Sequence, residues 1–424
     1  MQARIILACS VLAAFNAWGQ VEIDVRRPID KRVAVAVPNF ATLPGKEALG
    51  VQMAEVMRYD LDFTGLVRVV TPDQYPPSFT GLTSDPTKLD FVAWRTSRAE
   101  YLVHIYVTQE GENNVAECRL FDTATGQQVV GKRLSAGQEW WRLLVHQFSD
   151  EVVRFLDGEP GIATTQICFS GGQTGKKEIY IADYDGAGLT QLTKHNSISI
   201  LPTFSPDGGK IAYVSFKDRY QFIYVYELSS GRSTALSKEV GMNSAPAWAP
   251  DGTRLAIVLS KDANSEIYLV NSDGSGKKRL TNHPAVDSSP AFSPDGNQIA
   301  FVSERDGRPQ IYAMDTNGGN VRRLSFQGGK SYEPAWSPNG KQIAYVVESG
   351  GFQIYVMDAD GSNPRQLTTG GSNEAPAWSA DSRHVIFSTN QSSSLMAVNV
   401  LTGQIRPIPG IGVRAQAPDW GPRR

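Results

Sequence analysis

The residue types able to do chemistry are few and scattered. The 424-residue chain holds five histidines: His104, His146, His195, His283 and His384. His195 and His283 each follow a Leu-Thr pair at equivalent places of a repeat. Two imidazoles facing one channel could share a metal or polarise a substrate. A metal site needs a third ligand, and none recurs with them, so two loop histidines are the simpler account. Gly171-Gly172-Gln173-Thr174-Gly175-Lys176-Lys177 has the look of a phosphate loop. Its spacing is one residue short, and Lys177 stands where a hydroxyl would hold magnesium. Gly274-Ser275-Gly276-Lys277 is a decoy of the same kind. No Gly-x-Ser-x-Gly elbow occurs, so the nucleophile turn of an α/β hydrolase is missing. Asp207, Asp251 and Asp295 recur because a turn needs them, and a repeated residue is poor evidence for one active site. The expectation is a protein without catalytic, cofactor-binding or metal residues.

The elements that would carry such residues are dominated by that repeat. Pro202-Thr203-Phe204-Ser205-Pro206-Asp207-Gly208 returns from Pro246, Pro290 and Pro334, decays from Pro376, and ends truncated at Pro418-Asp419-Trp420, in steps of 44, 44, 44, 42 and 42 residues. Ile179-Tyr180, Ile223-Tyr224, Ile267-Tyr268, Ile311-Tyr312, Ile354-Tyr355 and the weaker Leu395-Met396 run in phase with it. Ser-Pro-Asp-Gly is a tight turn: Pro presets φ, Asp bonds the local backbone, and Gly takes the positive φ. An apolar run, the Ile-Tyr strand, an Asp-Gly or Asn-Gly turn and a short Leu-Thr strand complete a four-stranded unit. Units of this length mark β-propeller blades. The first Ile-Tyr strand lacks a Pro-x-aromatic strand before it, and Trp420 lacks an Ile-Tyr strand after it. Pairing the C-terminal segment into blade one closes a six-bladed ring over 161–424 and removes its open edges. Trp248, Trp336, Trp378 and Trp420 are blade-core candidates.

Residues 33–158 predict a separate α/β domain. Val33–Val37, Leu66–Val70 and Tyr101–Val107 read as strands, and Val115–Phe121 with Gln127–Leu134 as a hairpin. Leu49, Met53, Val56, Met57 and Leu61 share one helix face. Ser84-Asp85-Pro86 signals a helix start. Trp141, Leu144, Val145, Phe148, Val152 and Phe155 line a closing helix, ended by Gly158-Glu159-Pro160-Gly161.

Residues 1–19 read as a secretory signal peptide: Arg4, an apolar run Ile5–Phe15 too short to span a bilayer, then Ala17-Trp18-Gly19, with cleavage before Gln20. The rest has no apolar run of membrane-spanning length, which predicts an exported protein without a membrane span. A net charge of −2 gives no basic field for nucleic acid, and 41% hydrophobic with 20% charged residues excludes a disordered chain. Three cysteines exclude a disulfide scaffold, and Cys118 and Cys168 fall in different regions, which argues against their pairing. Between leader and domain, residues 20–32 alternate: Val21, Ile23 and Val25 with Glu22, Asp24 and Arg26. From the residues alone this is an edge strand or a frayed terminus; a free strand that adds to a partner's sheet is the sharper alternative.

A leader, a small α/β domain and a six-bladed propeller of Pro-Ala-Trp-Ser-Pro-Asp-Gly repeats, in that order, resemble the TolB family, the periplasmic propellers of the Tol–Pal system. The repeat alone is shared with peptidase and lyase propellers; the order, length and absence of a further domain carry the resemblance over essentially the whole chain. It implies a non-catalytic periplasmic scaffold linking the Pal lipoprotein to TolA, with other outer-membrane proteins as further candidates, in support of outer-membrane integrity and constriction at division. It implies a TolA-binding strand at Val21, Glu22, Ile23, Asp24, Val25 and Arg26, within Val21–Asp30. It implies a Pal-binding mouth in loops before the Pro-x-aromatic strands, at Met242, Asn243, Ser244 and Ala245, then Asp287, Ser288 and Ser289, then Tyr332 and Glu333. Met242 departs from a polar family position. Some relatives hold calcium in the channel, and no ligands for it are assigned here. An exported lyase or hydrolase and a glycan-binding sensor are the competing classes; the first needs a convergent catalytic set, the second an aromatic-lined mouth.

Overall fold

The computed structural model describes residues 32–173, 175–326, 328–391 and 394–424. The leader 1–19 and the expected TolA-binding residues Val21 to Arg26 lie outside the described residues.

The first part is a sheet with two long helices on one face and a short helix on the other. In chain order it contains β1 (Val33–Ala36), β2 (Ala41–Thr42), α1 (Glu47–Phe63), β3 (Val67–Val70), α2 (Phe91–Thr96), β4 (Tyr101–Glu110), β5 (Asn113–Asp122), β6 (Gln128–Gly137) and α3 (Trp141–Asp157). The strand order is β3-β1-β4-β5-β6, with β2 beside β4. β1 runs parallel to β3 and β4; β4, β5 and β6 form an antiparallel meander. Met53, Met57 and Leu61 of α1 and Leu144, Phe148 and Val152 of α3 pack on Val35, Val103, Ile105 and Leu120. Spacing of three and four residues puts each set on one helix face, and burying a side chain of this size stabilises by about 1.5–3 kcal/mol. The other face is covered by Tyr75, Phe79 and Trp94. The expected helix start at Asp85 is one 3₁₀ turn, Pro86–Lys88, capped by the Asp85 carboxylate; α2 begins later, capped by Asp90. α3 ends where Gly158 adopts φ +89° and its N–H returns to the Arg154 carbonyl.

The remainder forms six four-stranded antiparallel sheets around a channel. The innermost strands are Ala415–Trp420 in blade 1, Ser199–Phe204 in blade 2, Asn243–Trp248 in blade 3, Asp287–Phe292 in blade 4, Lys330–Trp336 in blade 5 and Asn373–Trp378 in blade 6. The C-terminal strand closes the ring as expected: Asp419 pairs with Cys168 and Trp420 with Ile167. Trp248, Trp378 and Trp420 are buried between blades, whereas Trp336 is half-buried. Cys118 and Cys168 are free and buried. Gly171–Gln173 and Lys176–Lys177 lie on facing strands of blade 1, with Gly172 opposite Lys177, which disposes of the phosphate-loop likeness.

One side-chain relay holds the outer part of four blades. The Ile of the Ile-Tyr strand donates its N–H to the hydroxyl of Thr193, Thr281, Ser325 or Thr368. That hydroxyl donates to the residue before the Ile: Glu178, Glu266, Gln310 or Gln353. Each of these four side chains is buried, and the relay satisfies its polar atoms.

Every innermost strand carries a bulge at the same register, between Ile200 and Thr203 in blade 2 and its equivalents elsewhere. The residue before each Pro takes a positive φ of 45–54°: Leu201, Ala245, Ser289, Glu333, Ala375 and Ala417. A residue preceding proline disfavours helical conformations of either hand, and a non-glycine residue here stores about 1–3 kcal/mol. Six glycine-free copies mean that a side chain is kept there at that cost.

Candidate functional site

Strand direction alternates within a blade, so two sets of loops open at one end of the ring. These are the crossings from one blade to the next and the loops between second and third strands. The Ser-Pro-Asp-Gly and Asp-Gly turns open at the other end. The crossings expose Val240, Val286 and Phe326, and the second-to-third loop of blade 2 exposes Tyr220. Val240 is 85%, Phe326 70% and Tyr220 69% accessible, the highest values for large apolar side chains among the described residues apart from Val92 in the α/β domain. Blades 2 to 5 thus place four exposed apolar side chains around the channel mouth, among exposed charged ones such as Arg219, Lys238 and Arg308. Where blade 6 meets blade 1 the mouth is polar: Ser372, Glu374, Asn390, Arg414 and Gln416 line a water-sized notch.

The expected mouth residues lie on the innermost strands themselves or, for Met242, one residue before, and not in loops. Ser244, Ala245, Ser288, Ser289, Tyr332 and Glu333 are half-buried along the mouth. Met242 is half-buried, and its N–H donates to Ser260 Oγ at 2.8 Å. Asn243 and Asp287 are buried on those strands. Asn243 accepts from Ser237 and Glu239 N–H and donates to the carbonyls of Glu239 and Gly241. Asp287 takes two bonds from Arg305, and burial pushes its carboxyl up against that cation. Both side chains sit just ahead of the bulge, where alternation points them inward. Tyr332 donates its hydroxyl to Glu348 at 3.1 Å. Glu333 accepts the Ala375 N–H of the next blade at 2.7 Å, and desolvation raises its carboxyl above the usual range.

Deeper in the channel, Asp419 of blade 1 accepts the Phe204 N–H of blade 2 at 2.8 Å, and burial raises its pKa to about 6. Glu333 and Asp419 are thus each committed to a neighbouring backbone. Among the described residues, no trio of carboxylate or imidazole groups in the channel lies close enough to share an ion. These side chains offer calcium, which seeks six to eight oxygens, no ready cage. His195 Nδ1 lies 3.2 Å from Ser199 Oγ, and His283 Nδ1 accepts from Ala285 N–H. Each histidine serves its own loop beneath the Glu178 or Glu266 relay.

The opposite end of the ring holds the α/β domain. Phe63, at the end of α1, is buried against Tyr184, His384 and Trp420. His384 Nε2 meets the Phe63 carbonyl at 3.1 Å, and Asn399 donates to the Thr64 carbonyl. Asp62 pairs with Arg406, Asp157 with Arg383, and Asp185 with Arg142. Asp60 of α1 is buried and accepts three bonds: from Tyr184 OH at 2.7 Å, Ser149 Oγ at 2.7 Å and His146 Nδ1 at 2.9 Å. Asp60, His146 and Asp185 lie within 4.8 Å of one another. The oxygens of both carboxylates already accept bonds from donors of the protein, which ties the trio into an internal ionic cluster. Sequence reasoning passed over this end: Asp185 and Trp420 repeat and read as turn and blade-core residues, while Asp60, Phe63 and His146 lie outside the repeat.

An α/β domain joined to one end of a closed six-bladed ring, with an open mouth at the other, defines a two-domain β-propeller protein. The model of the TolB beta propeller domain matches residues 153–424, and that of the TolB amino-terminal domain matches residues 21–129. The chain belongs to the TolB family. Similar curated proteins include the Tol-Pal system protein TolB of Syntrophotalea carbinolica, 34% identical over 215 residues, and that of Geobacter sulfurreducens, 38% identical over 208 residues. These alignments take in 50% and 49% of this chain and 50% and 48% of the relatives, so the chain spans about half the length of the curated relatives it matches. The crystal structure of TolB from Acinetobacter baumannii superposes with a TM-score of 0.83 at 25% identity, covering 93% of this chain and 97% of that one. Among the described residues, no helix is long and apolar enough to cross a membrane.

Proposed function

We propose that the chain acts by binding, as a non-catalytic periplasmic component of a Tol–Pal system, exported by a leader cleaved near Gly19. Its propeller mouth receives the Pal lipoprotein, and Val21 to Arg26 add as a strand to TolA, with outer-membrane integrity and constriction at division as the outcome. The observation that carries this reading is the set of exposed apolar side chains Tyr220, Val240, Val286 and Phe326 around half-buried small residues, on the end of the ring away from the α/β domain. The printed names of the relatives supply the system. Strand addition gives main-chain hydrogen bonds, and Val21, Ile23 and Val25 would occupy one face of the partner's sheet. Ordering a free segment offsets much of that gain, so the TolA contact is expected to be weak and reversible.

The test is titration calorimetry of the mature protein against purified Pal and TolA. Removing residues 20–30 is expected to abolish TolA binding and leave Pal binding intact. Unchanged TolA affinity in that truncation rejects the strand assignment.

A further inference from the structure

The end of the ring away from the mouth holds a buried titratable group set between carboxylates of both domains. His146 projects from α3 into the junction with 1% of its surface accessible. From α1 it meets Asp60, whose carboxylate its Nδ1 reaches at 2.9 Å, while the neighbouring Tyr59 ring packs on Tyr184 at 6.1 Å. From the propeller it meets the Tyr184 ring edge-on at 6.0 Å and the Asp185 carboxylate. On its own helix lie Arg142, paired to Asp185, and Asp150, turned away to bond Ala163 and Thr164. Asp62 of α1 is occupied by Arg406.

The charge count is unbalanced without the histidine proton. Asp60 and Asp185 are two buried carboxylates from two domains, and among the described residues Arg142 is the permanent cation paired there. His146 Nε2 is buried with no partner, as are Tyr59 OH and Arg142 Nε. A proton on Nε2 makes the ring a double donor, one N–H on Asp60 and one charge-complementary to Asp185. Its loss leaves a surplus negative charge in a site of low polarity, which is costly.

We propose that the junction of the α/β domain and the propeller is an acid-strengthened clasp, in which the His146 imidazolium between Asp60 and Asp185 binds the two domains and loss of its proton loosens them. Burial opposes the charged ring, but the Asp60 and Asp185 carboxylates outweigh it, and the His146 pKa stands above its ordinary value. A group raised on folding contributes fully below its unfolded pKa, roughly 6.5, and loses that contribution as pH rises through the folded value. The clasp is therefore tight in mild acid and slackens toward alkaline pH. His384, against Asp381 and the Phe63 carbonyl, is a second buried imidazole at the same junction and serves as the internal control.

Hydrogen exchange of the full chain, corrected for the intrinsic pH dependence of amides, tests this. Protection at Asp62 to Leu66 and Asp183 to Gly186 is expected to fall by roughly tenfold or more between about pH 5.5 and 8.5, while strands of blades 3 and 4 do not change. His146→Gln, which keeps an N–H for Asp60, should remove the pH dependence and sit at the alkaline level throughout. Asp185→Asn should flatten the profile too while sparing the Tyr184–Asp60 bond, and it decides the matter if His146→Gln does not fold. His384→Gln should retain the wild-type profile. A flat wild-type profile overturns the proposal. So does wild-type pH dependence in folded His146→Gln, or in Asp185→Asn, or its loss in His384→Gln alone.

Discussion

The two ends of the ring use opposite chemistry. At the mouth, Tyr220, Val240 and Phe326 are exposed, and the inner strands of blades 3 and 4 present small, half-buried, uncharged residues, Ser244, Ala245, Ser288 and Ser289. At the junction, Asp60, His146, Asp185 and His384 are buried and bonded across the two domains. Apolar contacts around small residues form and part without desolvating charge, which suits a reversible partner. Buried charges are different: each costs several kcal/mol to desolvate and is retained only while its partners stay in place. A permanent neighbour can be held that way, and the arrangement fixes geometry more than it adds stability.

The sharpest way to break this contrast is to remove the strand that runs from one end to the other. Ala415 lies at the mouth, and the Trp420 indole donates to Thr165 at the junction end. A chain ending at Gly412 loses that strand, the Trp420 wedge and the Arg423 and Arg424 bonds to residues 160–164. It is expected to lose its cooperative thermal transition; melting like the full chain would mean that closure does not hold the ring. The next effect is confined to the mouth. Ala245→Arg or Ser288→Arg should weaken Pal binding about tenfold or more, with stability within about 0.5 kcal/mol of the parent, as for other surface changes. Equal Pal affinity in both variants, measured by calorimetry, would move the interface off blades 3 and 4. The smallest effect is expected from the histidines that serve single loops. His195→Ala with His283→Ala should cost about 1 kcal/mol or less in urea unfolding, and envelope function should persist. Loss of function with partner binding intact would favour an enzyme.

The contrast also explains what could be read beforehand. The ring was legible because Pro-x-aromatic and Ile-Tyr pairs recur at a fixed step, and six copies tolerate the decay of Pro376 to Ser382. The mouth was legible by register but not by burial. The bulge after Ser244 and Ser288 resets the alternation, so Asn243 and Asp287 face inward beside neighbours that face the channel. The Glu178, Glu266, Gln310 and Gln353 relay had a periodic signal, an acid or amide immediately before each Ile-Tyr, that could have been found. The junction had none. Asp60 meets Tyr184, and Phe63 meets His384, across separations of 124 and 321 positions, each contact occurring once.

Ring closure has a consequence in time. Asp419 pairs with Cys168, so the second strand of blade 1 waits about 250 residues for its neighbour. At roughly 5–20 residues per second, synthesis leaves that strand without its partner for about 10–50 s. During that interval blade 1 offers the bare edge of its strand Gln166–Gln173, the kind of surface that nascent chains use to pair with one another. The last dozen residues therefore decide whether each newly made molecule finishes as a ring or remains a template for its siblings.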